Sequence, residues 1–341
     1  MVSEKSTIQI GSQRKKKQRH PPWLKVRAPF GTRVQDLTKL MARLDLHTVC
    51  KESLCPNIGE CWNHGVATFM ILGDVCTRGC RYCAVTKGSP QGLDLEEPHR
   101  IAEAVEVMGL SHVVITSVDR DDLPDGGASV FAETVRQVRR CTRQCVVELL
   151  VPDFKGSERA LDTVLSTDPE VLGHNVETVP RLYPMARGGG KYKVSLRLLE
   201  HAKYLAPNVI TKTGLMLGLG ETPEEIREVL HDLVQCQVSI LTVGQYLQPS
   251  GWHLPVRRYV HPQEFCEWKE YGESIGLVHV ESGPLVRSSY LADRQYAALK
   301  GVGGSSEAPT KRAEEWFEEG CSAELSVASA DANIGSGRKN A

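Results

Sequence analysis

Phe69-Met70-Ile71-Leu72-Gly73-Asp74-Val75-Cys76-Thr77-Arg78-Gly79-Cys80-Arg81-Tyr82-Cys83 runs from an apolar stretch straight into three closely spaced cysteines. The apolar part, 69–73, reads as a buried strand, and the cysteines follow it in a loop where Gly79 relieves the turn. Further along, apolar runs at 112–118, 145–151, 170–176, 209–217 and 239–247 repeat the strand signal. Segments 101–108, 130–140, 158–165, 194–204 and 224–235, lying between them, carry the helical period. The last has a strong start: Thr222 as N-cap, Pro223 at the first helical position and Glu225 able to close a capping box. Strict alternation with near-continuous apolar strands predicts an α/β chain with a parallel sheet covered by helices, as an open doubly wound sheet or a barrel. Periodicity does not separate these two. In both, chemistry gathers at the carboxyl ends of the strands, which is where the cysteine triplet falls.

The chain has 341 residues, enough for one barrel-sized domain or two smaller ones. Lys and Arg total 41 against 42 Asp and Glu, so there is no global field that would favour nucleic acid or an anionic membrane. No apolar run reaches the 18 or so residues that a membrane-spanning helix needs, and a soluble protein is expected. The eleven cysteines are odd in number and clustered, which fits metal ligation in a reducing compartment better than a disulfide scaffold. The run Arg14-Lys15-Lys16-Lys17 has no apolar segment after it, so a secretory signal is not expected, while an organelle transit segment stays open. The expected organisation is a basic flexible tail at 1–20, an N-terminal extension at 21–68, the working domain at 69–300 and a disordered tail at 301–341.

Cys76, Cys80 and Cys83 have C-x3-C-x2-C spacing. Three thiolates can hold three irons of a [4Fe–4S] cluster and leave the fourth open to an exogenous ligand. Zinc is the alternative, but it wants four ligands, and no neat second pair follows. Cys50, Cys55 and Cys61 have C-x4-C-x5-C spacing through Pro56-Asn57-Ile58-Gly59-Glu60 and end at Trp62. They read as a second cluster with a non-cysteine fourth ligand, with zinc or unligated core cysteines as alternatives. Cys141, Cys145, Cys236 and Cys266 are expected to be buried small hydrophobes, and Cys321 incidental.

Three further strings close strands. In Thr213–Glu221 the glycines, Gly218 among them, allow close approach of a ligand or simply serve a turn. In Asp119-Arg120-Asp121-Asp122-Leu123-Pro124-Asp125-Gly126-Gly127 the carboxylates suit a cation, an ammonium group or Arg120 itself, and a solvated acidic turn is the alternative. His174-Asn175-Val176-Glu177 places polar groups at the end of an apolar strand, for a ligand or for neighbouring backbone. Gly283-Pro284-Leu285-Val286-Arg287-Ser288-Ser289-Tyr290 follows a short strand at 277–280, and its serines alone would pass as turn residues.

Taken together, these strings, with Pro22-Trp23-Leu24-Lys25 and Gly244-Gln245-Tyr246, resemble the lipoyl synthases of the radical S-adenosylmethionine superfamily over roughly residues 22–300. The C-x3-C-x2-C element alone marks only the superfamily; the second triplet and the R-S-S-Y string narrow it. The resemblance implies a partial (β/α)6 TIM-like barrel with N-terminal and C-terminal extensions carrying an auxiliary cluster. It implies that Cys76, Cys80 and Cys83 hold a [4Fe–4S] cluster whose open iron chelates S-adenosylmethionine, the source of a 5′-deoxyadenosyl radical. Asp119, Asn175, Glu177 and Gly218 are the candidate contacts for that cofactor. Cys50, Cys55 and Cys61 would hold the auxiliary [4Fe–4S] cluster, with Ser289 as fourth ligand and Ser288 as fallback. The implied reaction inserts sulfur at C6 and C8 of a protein-bound octanoyl-lysine, using two S-adenosylmethionine molecules per product. Implied partners are an octanoylated carrier domain (2-oxoacid dehydrogenase E2 or glycine cleavage H protein), a reductant such as ferredoxin or flavodoxin, and an iron–sulfur carrier that rebuilds the cluster. Nucleic acid and membrane are not among them. A bacterial-type cytoplasm is expected, with plastid stroma or mitochondrial matrix as alternatives. Two departures stand out: Arg187-Gly188-Gly189-Gly190-Lys191 is unusually glycine-rich, and the tail after about 303 has no counterpart. Competing readings are a biotin-synthase-like sulfur inserter, a methylthiotransferase, or a non-catalytic iron–sulfur protein; the last leaves the missing fourth thiolate unexplained.

Overall fold

A computed structural model describes residues 20–25, 32–53, 55–64 and 66–301. The main sheet contains β1 (His47–Thr48), β2 (Val66–Ile71), β3 (His112–Ser117), β4 (Val146–Leu150), β5 (Val171–Gly173), β6 (Ile210–Leu217), β7 (Ile240–Gln245) and β8 (His279–Gly283). Helices are α1 (Thr32–Arg43), α2 (Val49–Glu52), α3 (Ile58–Asn63), α4 (Glu97–Met108), α5 (Ala128–Cys141), α6 (Glu158–Leu165), α7 (Tyr183–Ala186), α8 (Tyr192–Leu205), α9 (Pro223–Gln235), α10 (Pro262–Ser274) and α11 (Ala292–Lys300).

The strands lie in the order in which they occur along the chain, and β2 to β8 are parallel, with Val66 opposite His112 at one end and Gly244 opposite Gly283 at the other. A doubly wound sheet reverses its strand order at a switch point; this one never does, so its right-handed crossovers put the helices on one face and the sheet curls as a barrel does. Among the described residues β1 and β8 do not pair, and β1 instead covers the edge of β2 antiparallel to it. The result is a partial barrel. The six expected strands are β2 to β7, and the segment near 277–280 supplies a seventh parallel strand.

Helices α4, α5 and α6 pack Ile101, Val105, Phe131, Val135, Leu161 and Val164 against Ile115, Leu149 and their neighbours, all nearly without exposure. Each such side chain contributes roughly 1.5–3 kcal/mol relative to leaving it in water. A second core unites α9 and α10 with β6 to β8 through Val229, Leu230, Leu233, Phe265 and Val280. The capping box at α9 is formed, with Glu225 N–H donating to Thr222 Oγ1 at 3.3 Å and Thr222 N–H to Glu225 Oε2 at 2.9 Å. At the opposite end of the strands, Val171, Ile210 and Ile240 meet Tyr296 and Leu299 of α11, which closes the amino end of the barrel and leaves the carboxyl end for chemistry.

Between the strands runs a buried polar bridge: Lys212 Nζ lies 2.8 Å from Glu148 Oε1, and His112 Nε2 3.2 Å from Glu148 Oε2. Cys145, Cys236 and Cys266 are buried as expected, but Cys141 is exposed, because it ends α5 on the solvent side beside Arg139 and Arg140. The expectations for the tails at 1–20 and 301–341, Cys321 included, fall almost wholly outside the described residues. No helix among those residues is long and apolar enough to cross a membrane.

Candidate active site

Strand β2 ends at Ile71, and Leu72 and Gly73 turn the chain with φ of 70° and 87°. Leu72 N–H is fixed by buried Glu97 at 2.7 Å. The loop then closes on itself where Val75–Cys76 pairs with Thr86–Lys87, leaving Cys80 and Cys83 on the excursion between. Arg78 and Asp119 donate their backbone N–H groups to Cys76 Sγ at 3.4 and 3.3 Å, an arrangement that favours a thiolate there. Thr77 donates from both N–H and hydroxyl to the Asp119 carbonyl at 3.0 and 2.8 Å. The acidic loop after β3 is thereby stitched to the cysteine loop after β2.

Arg78, 6 % exposed, holds that seam. It is bidentate to Asp121 at 2.8 and 2.9 Å, bonds Asp153 at 2.7 Å and stands 3.4 Å from Asp119. Burial would raise the carboxyl of Asp153, but Arg78 holds it below the usual range. Asp119 moves the other way, raised by burial more than Arg78 lowers it. Burial also pushes up the thiols: Cys76 and Cys83 upward, and Cys80 to about 11 despite the nearby Arg187. Thiolates at this site therefore call for a cation between them.

The end of β5 brings the other polar groups. Glu177, held at φ 66°, continues the sheet through an isolated bridge to Leu215, and Asn175 Nδ2 bonds its carboxylate at 3.2 Å. Burial raises the Glu177 carboxyl, with Arg187 opposing, and its field reaches both Tyr82 and Cys83. Arg187 donates to the Asn175 carbonyl at 2.5 Å. His174 backs Arg187: its ring stands 3.3 Å from Arg187 Nη2, bonds the Val151 carbonyl at 2.8 Å and Ser195 Oγ at 2.9 Å, and burial followed by Arg187 drives it down to about 3, so it stays neutral.

The structure thus joins the triplet with Asp119, Asn175 and Glu177. Gly218 stands differently: its N–H goes to Glu221 at 2.6 Å, its carbonyl accepts from Arg257 at 2.8 Å, and a side chain there would collide with Gln245 and the Arg258 carbonyl. Sequence reasoning missed Arg78, Asp153, Tyr82 and Arg187. The glycine-rich stretch was the available signal for Arg187. A Cβ at Gly188 would sit 3.1 Å from the Gly79 carbonyl, and Arg81 N–H bonds the Ala186 carbonyl at 2.8 Å, so the glycines let this stretch lie against the cysteine loop.

The second triplet is built from short helices. Thr48 caps α2, which holds Cys50; Cys55 N–H returns to the Cys50 carbonyl at 3.0 Å; Cys61 lies on α3 with its N–H on the Asn57 carbonyl at 3.0 Å. The three line a small pocket together with Asn57, Thr68, Arg287, Ser289 and Tyr290. Ser289 is in that wall and Ser288 is not. The C-terminal segment is held by Asn57, by Tyr290, whose hydroxyl is 3.3 Å from each Glu60 carboxylate oxygen, and by Gln295 on the Tyr290 carbonyl at 2.7 Å. Gly244 permits the approach, since a Cβ there would strike the Val286 carbonyl.

Burial raises the thiols of Cys50, Cys55 and Cys61, and the cysteines raise one another where their charges meet. The buried indole N–H of Trp62 lies where it can stabilise a Cys50 thiolate and has no other partner. Three thiols and the hydroxyls of Thr68, Ser289 and Tyr290 around one pocket, with an orphaned indole donor beside Cys50, suit an iron–sulfur cluster. Among the described residues no three His, Cys, Asp or Glu side chains converge to chelate a single metal ion.

Residues 70–233 match the family described as the Radical SAM superfamily, and residues 3–55 match the N-terminal domain of lipoyl synthase of that family. The chain is 57% identical over 284 residues to the lipoyl synthase of Rubrobacter xylanophilus, covering 83% of this chain and 88% of the relative. It is 51% identical over 299 residues to that of Chloroflexus aurantiacus, covering 88% and 98%. Among solved structures it is similar to HydG, a maturase of the [FeFe]-hydrogenase, with TM-score 0.46 and 12% identity over 84% of this chain and 80% of that one. Streptococcus suis SuiB bound to S-adenosylmethionine gives TM-score 0.47 and 10% identity over 64% and 50%.

Proposed function

The chain belongs to the lipoyl synthases, radical S-adenosylmethionine enzymes, and we propose that it inserts sulfur at C6 and C8 of an octanoyl group amide-linked to a lysine of a carrier domain. The observation that carries this reading is the separate placement of two thiol triplets: one at the carboxyl ends of the strands, the other in a pocket walled by Ser289. When bound, the first cluster with S-adenosylmethionine supplies a hydrogen-abstracting radical and the second supplies sulfide.

Cys76, Cys80 and Cys83 would hold the first cluster, with the N–H groups of Arg78 and Asp119 supporting the Cys76 thiolate. Asp119 and Glu177 offer carboxylates to the ammonium group of the cofactor, and Asn175 holds the Glu177 carboxylate in place. We assign Gly218 to packing, since protein groups satisfy both its N–H and its carbonyl. Cys50, Cys55, Cys61 and Ser289 would hold the second cluster; an alkoxide is a poorer match to soft iron–sulfur chemistry than a thiolate, which suits an iron that must be released. The residues contribute orientation and a dry enclosure rather than the radical chemistry itself. A ferredoxin- or flavodoxin-type reductant and an iron–sulfur carrier complete the cycle, in a bacterial-type cytoplasm.

Anaerobic reconstitution with dithionite, S-adenosylmethionine and an octanoyl-lysine peptide tests this reading. The expected result is 5′-deoxyadenosine together with a peptide that has gained two sulfurs. Deoxyadenosine with an unmodified peptide would overturn the substrate assignment, and neither product with both clusters intact would overturn the catalytic one.

A further inference from the structure

After Gln245 ends β7, the segment 246–261 crosses the carboxyl end of the barrel before α10 starts at Pro262. Two bonds tie it to the cysteine loop: Leu254 N–H donates to the Arg81 carbonyl at 3.0 Å, and His253 Nε2 stands 2.9 Å from the Cys83 carbonyl. The turn itself is heavily bonded. Ser250 Oγ meets His253 Nδ1 at 2.8 Å and accepts from Trp252 N–H at 3.3 Å, Gln248 Nε2 donates to the His253 carbonyl at 2.9 Å, and Tyr246 donates its hydroxyl to the Leu254 carbonyl at 2.8 Å. On this rigid turn the indole of Trp252 is 91 % exposed, the most exposed of the large apolar side chains among the described residues.

A lone exposed apolar residue is ordinary on a protein surface. This one differs in place and company. It adjoins a residue bonded to a candidate cluster cysteine, and the exposed cations Arg81, Lys87 and Arg257 lie on the same two stitched segments with no ion-pair partner among the described residues. Two acids near Arg257 are engaged, Glu264 by Arg258 and Glu221 by the backbone N–H groups of Gly218, Leu219 and Gly220. Trp is among the side chains that most often anchor protein interfaces, and unpaired cations on the same rim select an acidic face and steer its approach.

We propose that Trp252, together with the cations Arg81, Lys87 and Arg257 of the two stitched segments, is the docking anchor for a carrier domain with an acidic surface that delivers its acylated lysine over this rim. The proposal rests on the reading that the substrate is carried by a protein domain. A small-molecule cofactor would gain nothing from an indole held in open water on a braced turn, whereas a domain covering the rim buries it and pairs the three cations at once.

The test measures binding of a fluorescently labelled, octanoylated carrier domain to the reconstituted enzyme by anisotropy, with turnover of the short octanoyl-lysine peptide followed in parallel. Trp252→Ala is expected to weaken domain binding at least tenfold, Trp252→Phe to recover part of it, and Arg257→Glu to weaken it while flattening its salt dependence. Tyr204→Ala, which removes an exposed ring at the end of α8, is expected to leave binding unchanged. Unchanged affinity in Trp252→Ala, or an equal loss in Tyr204→Ala, overturns the proposal. Loss of domain binding in Trp252→Ala with no sulfur gained by the peptide in the parent enzyme would support the docking surface and count against the reaction instead.

Discussion

Asn57 donates its side-chain amide to the backbone carbonyl of Leu285 at 2.7 Å, across 228 positions of sequence. Further along both segments, Tyr290 meets Glu60 through its hydroxyl, with Ser289 next to it in the pocket wall. These contacts form a clasp between the N-terminal extension and the segment that follows the last strand.

Loosening the clasp should release iron from the second site. Asn57→Ala leaves the Leu285 carbonyl without its partner, a cost of about 1–3 kcal/mol, and should lower the denaturant midpoint accordingly. In a Cys76→Ala background, where only the second cluster is held firmly, Tyr290→Phe should speed iron loss to a chelator several-fold without shifting the far-ultraviolet spectrum. An unchanged rate of loss would mean that the hydroxyl does not help hold Ser289 in place.

Gly244→Ala tests the same seam from the barrel side. The added methyl collides with the Val286 carbonyl, so the segment carrying Ser289 must move. Overpacking of this kind costs about 1–3 kcal/mol. The expected outcome is a lower melting temperature together with reduced iron occupancy of the second site, whereas full occupancy would show that the segment seats without close approach to β7.

Much of this architecture is legible in the chain, and the reasons differ by element. Strands β2 to β7 are buried among helices, so their apolar runs announce them, and Thr222 to Glu225 announce α9 through a local capping rule. The choice between an open sheet and a barrel was not legible, because strand order is a property of pairing between distant segments and leaves no mark in periodicity. The end of β5 shows the same limit: an apolar run to 176 was read as strand, yet the ladder stops at Gly173 and the chain returns to the sheet only at Glu177, whose positive φ no local pattern displays. The six cysteines could be found by spacing alone. Arg78 and Arg187 could not, since their importance lies in which carboxylates and carbonyls the fold brings to them. Ser289 was reached only through a family string; without it, two adjacent serines look like a turn.

Arg78 should prove indispensable to the first site even without iron. It is a buried cation shared among Asp119, Asp121 and Asp153. Arg78→Met leaves buried carboxylates uncompensated and should destabilise the metal-free protein by about 3–5 kcal/mol in urea unfolding. Arg78→Lys should recover only part, because an ammonium cannot reproduce the bidentate grip on Asp121. A loss near zero in Arg78→Met would mean that the carboxylates are hydrated or protonated.

Acid should weaken the barrel through Glu148. Burial by itself would raise its carboxyl, but the ammonium of Lys212 and the ring of His112 bring it below its ordinary value. A depressed carboxylate contributes stability that is complete above its unfolded value of about 4.3 and is lost as pH falls through the lower, folded value. The metal-free protein is therefore expected to lose stability as pH drops below about 4. Glu148→Gln should be less stable at neutral pH by about 3 kcal/mol or more, since Lys212 is left buried without its partner, and should show a shallower acid limb. Parallel acid limbs for the two proteins would place the pH dependence elsewhere.

The division between the two cysteine triplets is tested most directly by measuring deoxyadenosine and product mass together in two variants of the reconstituted enzyme, supplied with S-adenosylmethionine, dithionite and octanoyl-lysine peptide. Cys76→Ala should yield neither deoxyadenosine nor sulfur insertion, while Cys55→Ala should still release deoxyadenosine and return a peptide without sulfur. A dithiolated peptide from either variant would contradict the account.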